Sequence, residues 1–492
     1  MQFSHDQAEA FDTISELLRS AGVDLDNAAL LPGSATKART LAILGKAGSG
    51  KTMLLARIVE ALEEAGAEAV SADYEGRKKA DRRTFAVLAP TNKAASVLRN
   101  RGVPATTIHR ILYTPVYDPE YEKLAEWLTG DGELPEIEGL TETALERAAL
   151  YYKNTKSIPG ALAAAGLRGS DFITGWKRRD DPLDIGLIDE SSMLDDRQME
   201  DLSEIFPTLI LFGDPAQLAP VGQSGAMAFD AVPEEHTSTL SRIHRQEADS
   251  PILDLAHALA DPEVDFYAFE KMVNEAGARD ERVQVAPRVD AALMARSPVL
   301  VWRNATRIRL IQAFRNAYGA PEDDLLPGEP LICDGIELPL KHRKKRIDLE
   351  ARGLIKGAQA TYLGAGRKPG FARVNIQGTE EPGISVASII QIESPDQDDP
   401  VVISAARSGA LFLHGAACTI HKAQGSQWPE VQVFAPDLSA AAWSGNEEAG
   451  IALWKRLAYV AITRAEQRLH WITRPMISKP DEPLGNAEGA LI

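Results

Sequence analysis

The stretch GKAGSGKT, Gly45 to Thr52, restricts the fold more than any other part of the chain. It stands between an apolar run, LAILG (41–45), and a helical run, MLLARIVEALEEA. A strand, a glycine-rich loop and a helix in that order make a phosphate-binding loop. Such a loop needs a buried strand to deliver it to the N-terminus of a helix, so a parallel α/β core is expected. Glycines let backbone N–H groups close around phosphate, which makes Gly45, Gly48, Ser49 and Gly50 the cradle. Lys51 would reach the β- and γ-phosphates, and Thr52 would bind Mg²⁺. A nucleoside triphosphate is therefore expected to be held and split.

The strand pattern continues in FAVLA (85–89), IGLID (185–189) and LILFG (209–213). A second set follows in VLVW (299–302), VQVFA (431–435) and LHWIT (469–473). Helical stretches separate these runs, so the pattern predicts two parallel α/β cores in a chain of 492 residues. Two regions break the rhythm. Residues 112–182 are polar, sprinkled with aromatics and poor in strand patterns, and include GALAAAG. Residues 327–412 are rich in Gly and Pro with short β-like runs (ATYLG, ARVNI, ISVASIIQI, PVVIS), which predicts a small β-barrel insertion. The expected division is 1–111 with 183–232 as the first core, and 233–326 with 413–492 as the second. Residues 112–182 and 327–412 are the two insertions. The tail SKPDEPLGNAEGALI reads as flexible.

A formal net charge of -18, taken alone, argues against a nucleic-acid binder. A protein that tracks a nucleic-acid strand needs local donors along a groove, however, and not a positive whole. The basic run KHRKKR (341–346) reads as a solvated face that ESPDQDD (393–399) could neutralise, and alternatively as a nucleic-acid contact. Only Cys333 and Cys418 are present, which argues against a disulfide framework or a thiolate zinc site. No apolar run has the length of a membrane span, and MQFSHDQAEAFD lacks the regions of a signal peptide, so a cytoplasmic protein is expected.

The nucleotide loop has partners downstream. LIDES ends an apolar strand in Asp189-Glu190. Asp189 would hold Mg²⁺ through water, while Glu190 would orient and deprotonate the attacking water. GDPAQLAPV (213–221) follows the strand LILFG, placing Gln217 to sense the γ-phosphate; an ordinary turn capped by Asp214 reads the same stretch equally well. Phosphoryl transfer also calls for a cation to stabilise transition-state charge. LSRIHRQ (240–246) and YVAITRAEQR (459–468) offer arginines for it, and either could equally be a surface arginine.

The ordered set GKAGSGKT, APTNKAA, TTIHRIL, LIDESSM, GDPAQLAPV, LSRIHRQ, TIHKAQGSQ and YVAITRA resembles superfamily 1 helicases. TIHKAQGS and the N-terminal SHDQAEA resemble the RecD/Dda group in particular, and the length and insertions are similar to phage Dda-type helicases. The resemblance runs from about residue 3 to 473. It implies two RecA-like cores, ATP with Mg²⁺, adenine recognition by Gln7, and arginine fingers at Arg245 and Arg464. It also implies a DNA track of Thr91, Asn92, Thr107 and His109, continued by Asn304, Thr419 and His421. Gln424 and Gly425 would link that grip to the nucleotide. Hydroxyls, amides and imidazoles can bond phosphate without reading base sequence, so a chain of net charge -18 can still hold DNA.

By the same resemblance, residues 112–182 would carry a strand-separating pin. Tyr113, Tyr117, Trp127, Phe172 and Trp176 are candidates for its tip. Lys356-Gly357 stands where relatives tend to show Asn-Gly, a departure in the barrel. The resulting expectation is an ATP-dependent DNA helicase moving 5′ to 3′ on single-stranded DNA, acting as a monomer in a bacterial or phage-infected cell. Its partners would be DNA junctions and replication or recombination proteins. An RNA helicase, a translocase that does not unwind, and a nucleotide-dependent subunit of a recombination complex are the rival readings.

Overall fold

The computed structural model describes residues 3–32, 39–70, 82–117, 119–130, 141–155, 173–179, 181–220, 226–241, 250–337, 356–377, 383–394, 400–406 and 409–484, with isolated residues 134, 161, 349 and 354. The chain forms two units. Met1–Pro215, Ala219–Ile243 and Leu340–Ala351 make the first; Ala216–Leu218, His244–Pro339 and Arg352–Ile492 make the second.

In the first unit seven strands form one sheet: β1 (Arg39–Gly45), β2 (Glu68–Ala69), β3 (Thr84–Ala89), β4 (Ala105–Thr107), β5 (Ile185–Ile188), β6 (Thr208–Gly213) and β7 (Thr237–Leu240). Their order is β7-β1-β6-β5-β3-β2, with β4 also on β3, and every pairing is parallel. Both faces are buried. Leu41, Ile43, Phe85, Val87, Ile185, Leu187, Ile210 and Phe212 pack on one side, and Ala42, Ala86, Leu88, Ile188, Leu209 and Leu211 on the other. This is why the strands read as unbroken apolar runs and not as alternating ones.

Helix α1 (His5–Ser20) covers the first of these faces with Ala10, Ile14 and Leu18, a spacing of four residues that keeps one stripe inward. Helix α2 (Lys51–Glu64) adds Leu54, Leu55, Ile58, Val59 and Leu62. Helix α3 (Asn92–Asn100) follows β3. Within the 112–182 region, Tyr113–Tyr117 and Ile173–Arg178 pair antiparallel, with Pro115 opposite Trp176. Arg179 fastens the base of this pair: its Nε donates to the Ile111 carbonyl at 2.9 Å.

The second unit holds a five-stranded parallel sheet of β8 (Val283–Ala286), β9 (Val299–Val301), β16 (Ala417–Thr419), β17 (Trp428–Phe434) and β18 (Ala465–Ile472), in the order β8-β18-β17-β9-β16. Helix α4 (Asn304–Tyr318) follows β9 and buries Leu310, Ile311 and Phe314 beside Val299 and Val301. Helices α5 (Ala435–Ser444) and α6 (Leu453–Ile462) follow β17.

Between α4 and β16 the chain departs into β10 (Pro330–Glu337), β11 (Gln359–Ala365), β12 (Phe371–Ile376), β13 (Ile384–Ile392), β14 (Val401–Ala405) and β15 (Gly409–His414). Strands β10, β11, β12, β13 and β15 pair in a closed ring, and β14 lies on β13 outside it. The expected small barrel is thus present and closed. Its ladder shifts at Cys333/Gly335 and Tyr362/Gly364, where glycines at φ 150° and 132° let the strands bend, as closure of so small a ring requires. The Lys356-Gly357 departure forms an exposed turn whose Gly357 N–H donates to the Cys333 carbonyl at 2.7 Å. KHRKKR (341–346) and residues 395–399 of the acidic run lie outside the described residues, as does the tail from 485. Among the described residues, no helix is long and apolar enough to cross a membrane.

Candidate nucleotide and nucleic-acid sites

In the first unit, every sequence-selected residue near a strand lies toward the C-terminal end of the parallel sheet, where open α/β sheets bind ligands. Gly45 ends β1 and Gly50 caps α2, with Gly48 and Gly50 at φ 82° and 80°. A side chain at Gly45 would collide with Ser49 Oγ. Lys51 turns back over the loop and donates to the carbonyls of Gly45 and, at 3.2 Å, Lys46. Ser49 Oγ is buried and has no hydrogen-bond partner among the described residues. A buried hydroxyl without a partner is costly unless another group completes it. An ammonium resting on loop carbonyls beside that hydroxyl, at a helix N-terminus, fits a phosphate chain. Thr52, half-buried in the first turn of α2, fits the metal that accompanies one.

Asp189 follows β5, and its N–H donates to the Leu88 carbonyl at 2.8 Å. Loss of water around the carboxyl, then the charge of Glu190, pushes its pKa up to about 7; the Lys51 charge opposes this. The site therefore resists a lone negative charge and welcomes a cation. Glu190 adopts a left-handed backbone, φ 53° and ψ 40°, ahead of a short 3₁₀ turn (Ser191–Met193). A non-glycine residue there carries about 1–3 kcal/mol of strain, a cost found where geometry matters to function. Ser191 Oγ anchors the turn by donating to the Phe212 carbonyl at 2.9 Å.

Gln7 is fully buried. Its Oε1 accepts from the Ser4 N–H at 3.1 Å and its Nε2 donates to the Ser49 carbonyl at 3.3 Å, which ties α1 to the phosphate loop. Thr91 Oγ1 caps α3 by accepting from the Ala94 N–H at 3.1 Å. Asn92 is the first residue of that helix, and Thr107 ends β4 in register with Ala89, buried. His109 lies in the short helix Ile108–Leu112. The side chains of Asn92, His109, Tyr113, Tyr117 and Trp176 lie outside the description, as do Arg245 and Phe172 altogether; Trp127 is half-buried in the helix Pro119–Thr129.

The second unit gathers a different set. Asn304 opens α4, exposed, three residues after Val301, and Val301 pairs with Thr419 at the end of β16. Thr419 and His421 are half-buried in that stretch. Burial lowers the His421 pKa and the Glu448 charge partly restores it. Gln424 Nε2 donates to the Leu218 carbonyl at 2.9 Å, and Gly425 sits at φ 69°. Gln217 belongs to this unit: its carbonyl accepts from Arg456 Nη1 at 2.5 Å, and the residue is buried. Arg464 is buried too. Its guanidinium donates to the Val460 and Ser426 carbonyls, each at 3.1 Å, and to Thr463 Oγ1 at 3.2 Å.

Sequence reading passed over one residue that shapes this set. Asp437, fully buried in the first turn of α5, accepts from the N–H groups of Trp302 (3.0 Å) and Arg303 (2.8 Å) and from Thr306 Oγ1 (2.7 Å). It also takes a forked pair from Arg303 Nε and Nη2, at 2.8 and 2.5 Å. One carboxylate thereby fixes the turn that presents Asn304. In sequence it looks like any acidic residue near a helix start.

A family model described as an AAA domain matches residues 28–280, just over half of the chain. One described as a UvrD-like helicase C-terminal domain matches residues 414–472. Among solved structures, the chain is similar to the Pif1 helicase from Candida albicans at 15% identity, covering 100% of each chain with a TM-score of 0.44. It is also similar to Bacteroides Pif1 bound to ssDNA at 14% identity, covering 100% of this chain and 97% of that one, with a TM-score of 0.46.

Proposed function

Since the chain belongs to the AAA-domain family, as a superfamily 1 helicase of the RecD/Dda group, we propose that it moves 5′ to 3′ along single-stranded DNA and unwinds duplexes ahead of it. It is an ATP-hydrolysing enzyme. In this reading Gly45, Gly48, Ser49 and Gly50 cradle the phosphates, and Lys51 meets the β- and γ-oxygens. Thr52 and Asp189 would hold Mg²⁺, which would neutralise phosphate charge. Glu190 takes the proton from a water whose oxygen bonds to the γ-phosphorus as the bond to the β-phosphate oxygen breaks. Gln217 senses that water, and Arg464 and Arg245 supply positive charge as it builds on the γ-phosphate. Gln7 reads adenine, exchanging its hold on the Ser49 carbonyl for the base.

Residues 1–111 and 183–232 act as the phosphate-loop core, which β7 (Thr237–Leu240) extends past the expected boundary at 232, and the remainder of 233–326 with 413–492 acts as the second; residues 112–182 supply the pin and 327–412 the barrel. Thr91, Asn92, Thr107 and His109 contact the strand backbone from the first core, and Asn304, Thr419 and His421 from the second. Gln424 and Gly425 carry the state of the nucleotide to that grip. The observation that carries the reading is the pairing of Val301 with Thr419, which sets Asn304 and Thr419 together at neighbouring strand ends. These are uncharged groups that can bond a phosphate backbone without reading base sequence.

The test is unwinding of partial duplexes with a 5′ or a 3′ overhang, on DNA and on RNA tracks, with ATP. Strand separation from the 5′ DNA overhang alone is expected. Separation from the 3′ overhang alone would reverse the polarity, and DNA-stimulated ATP turnover without separation would make the protein a translocase.

A further inference from the structure

Asn304 does not stand alone at the start of α4. Its Oδ1 accepts from Nε of Arg307 at 2.7 Å, one helical turn on. Arg307 is buried, and its Nη2 pairs with Oε2 of Glu393, the residue that follows β13 of the barrel. One planar guanidinium thus holds two partners through different nitrogens. One partner is 3 residues away in the same helix and the other 86 residues away in the barrel. Lysine, with a single nitrogen, cannot reproduce this fork. With Oδ1 turned to Arg307, the NH₂ end of the Asn304 amide is left as the donor for a ligand, and such a donor suits phosphate.

We propose that Arg307 is a positioning residue for the nucleic-acid grip, through which Glu393 of the barrel orients the Asn304 amide to donate to a backbone phosphate. The inference rests on the reading of Asn304 as a strand contact. The barrel then takes part in strand binding without touching the strand at this point, because it sets the orientation of a side chain on the second sheet. Asp437 fixes where the turn lies, and Arg307 fixes which end of the amide faces out.

The experiment is a double-mutant cycle on binding of a fluorescein-labelled oligothymidylate, read by anisotropy across a salt series. The full chain is used as wild type, Asn304→Ala, Arg307→Met, Asn304→Ala with Arg307→Met, and Glu393→Gln. Asn304→Ala is expected to weaken binding roughly tenfold, the usual worth of a hydrogen bond to a charged group. Arg307→Met should cost about as much, and the double variant should be no worse than Asn304→Ala alone. Glu393→Gln should give a smaller loss in the same direction.

The salt slope separates positioning from direct contact, since losing one phosphate contact by a cation lowers it by about 0.7 on a single strand. An unchanged slope in Arg307→Met supports positioning; a slope reduced by that amount means Arg307 binds phosphate itself and overturns the proposal. Additive losses in the cycle overturn it as well. Wild-type binding by Asn304→Ala would instead refute the reading of Asn304 on which the proposal stands. If Arg307→Met fails to fold, the cycle of Glu393→Gln with Asn304→Ala decides, and full affinity in Glu393→Gln refutes the barrel link.

Discussion

The carboxyl of Asp189 offers the sharpest test of the nucleotide site, because its environment works against the charge it must carry. Its pKa is raised from 3.8 to about 7, first by burial and then by Glu190. That change corresponds to at most about 4 kcal/mol against the ionised form, since each pKa unit is 1.36 kcal/mol. The sign follows directly. Without nucleotide the protonated form is favoured in the fold, so this group's contribution to stability is complete below about pH 4 and is lost as pH rises toward 7. Mg²⁺ needs the ionised form, so its binding must release a proton below pH 7. Apparent Mg²⁺ affinity should then fall roughly tenfold for each pH unit below 7 and level off above it. Removing the Glu190 charge with Glu190→Gln should move the bend to lower pH. The assay is Mg²⁺-dependent binding of a fluorescent, non-hydrolysable ATP analogue from pH 5.5 to 8. Asp189→Asn supplies the analogue's own titration for subtraction. A wild-type profile that matches Asp189→Asn, or a bend that stays put in Glu190→Gln, would refute the reasoning.

Other perturbations follow from the same geometry. Lys51→Ala should abolish DNA-stimulated ATP turnover, measured by phosphate release, and near-normal turnover would sink the assignment of the loop. Arg464→Ala removes three side-chain hydrogen bonds, two to the end of α6 at Val460 and Thr463 and one to the Ser426 carbonyl. It should therefore cost about 1–3 kcal/mol in urea unfolding and slow turnover by roughly 10³ or more; loss of stability with full turnover would leave it a structural arginine. Asp437→Ala strands the N–H groups of Trp302 and Arg303 and should destabilise the chain by about 2–4 kcal/mol and weaken oligothymidylate binding. Unaltered binding in a folded Asp437→Ala would break the link between that carboxylate and Asn304.

Local pattern was enough where burial is two-sided. LAILG, FAVLA, IGLI and LILF appear as runs because both faces of their strands are covered, and each is a strand in the structure. Thr237–Leu240, Val283–Ala286 and Glu68–Ala69 were not legible, since they are short, lie toward the sheet margins and bury few side chains. The barrel could be expected from its short β-like runs, but its closure depends on pairings such as Leu331 with His414, far apart in the chain. The nucleotide loop was visible because all its parts lie within eight residues, Gly45 to Thr52. Asp437 was not, because its partners lie 131 to 135 residues away. The left-handed backbone of Glu190 has no signature in its own identity, for glutamate is not a residue that favours it.

The way the barrel leaves and rejoins the second sheet has its own consequence. Its first and last ring strands, β10 and β15, are antiparallel neighbours, and the Gly415 N–H donates to the Pro330 carbonyl at 2.7 Å. The path out and the path back therefore share one hydrogen-bonded doorway. To the second sheet the whole barrel is topologically a hairpin loop, however many strands it encloses. Chain can be gained or lost beyond that doorway while α4 and β16 keep their places, because the entropy of closing a loop grows only slowly with its length. Ties that cross back, such as Arg307 with Glu393 and the ring contact of Phe314 with His414, oblige barrel and sheet to change together.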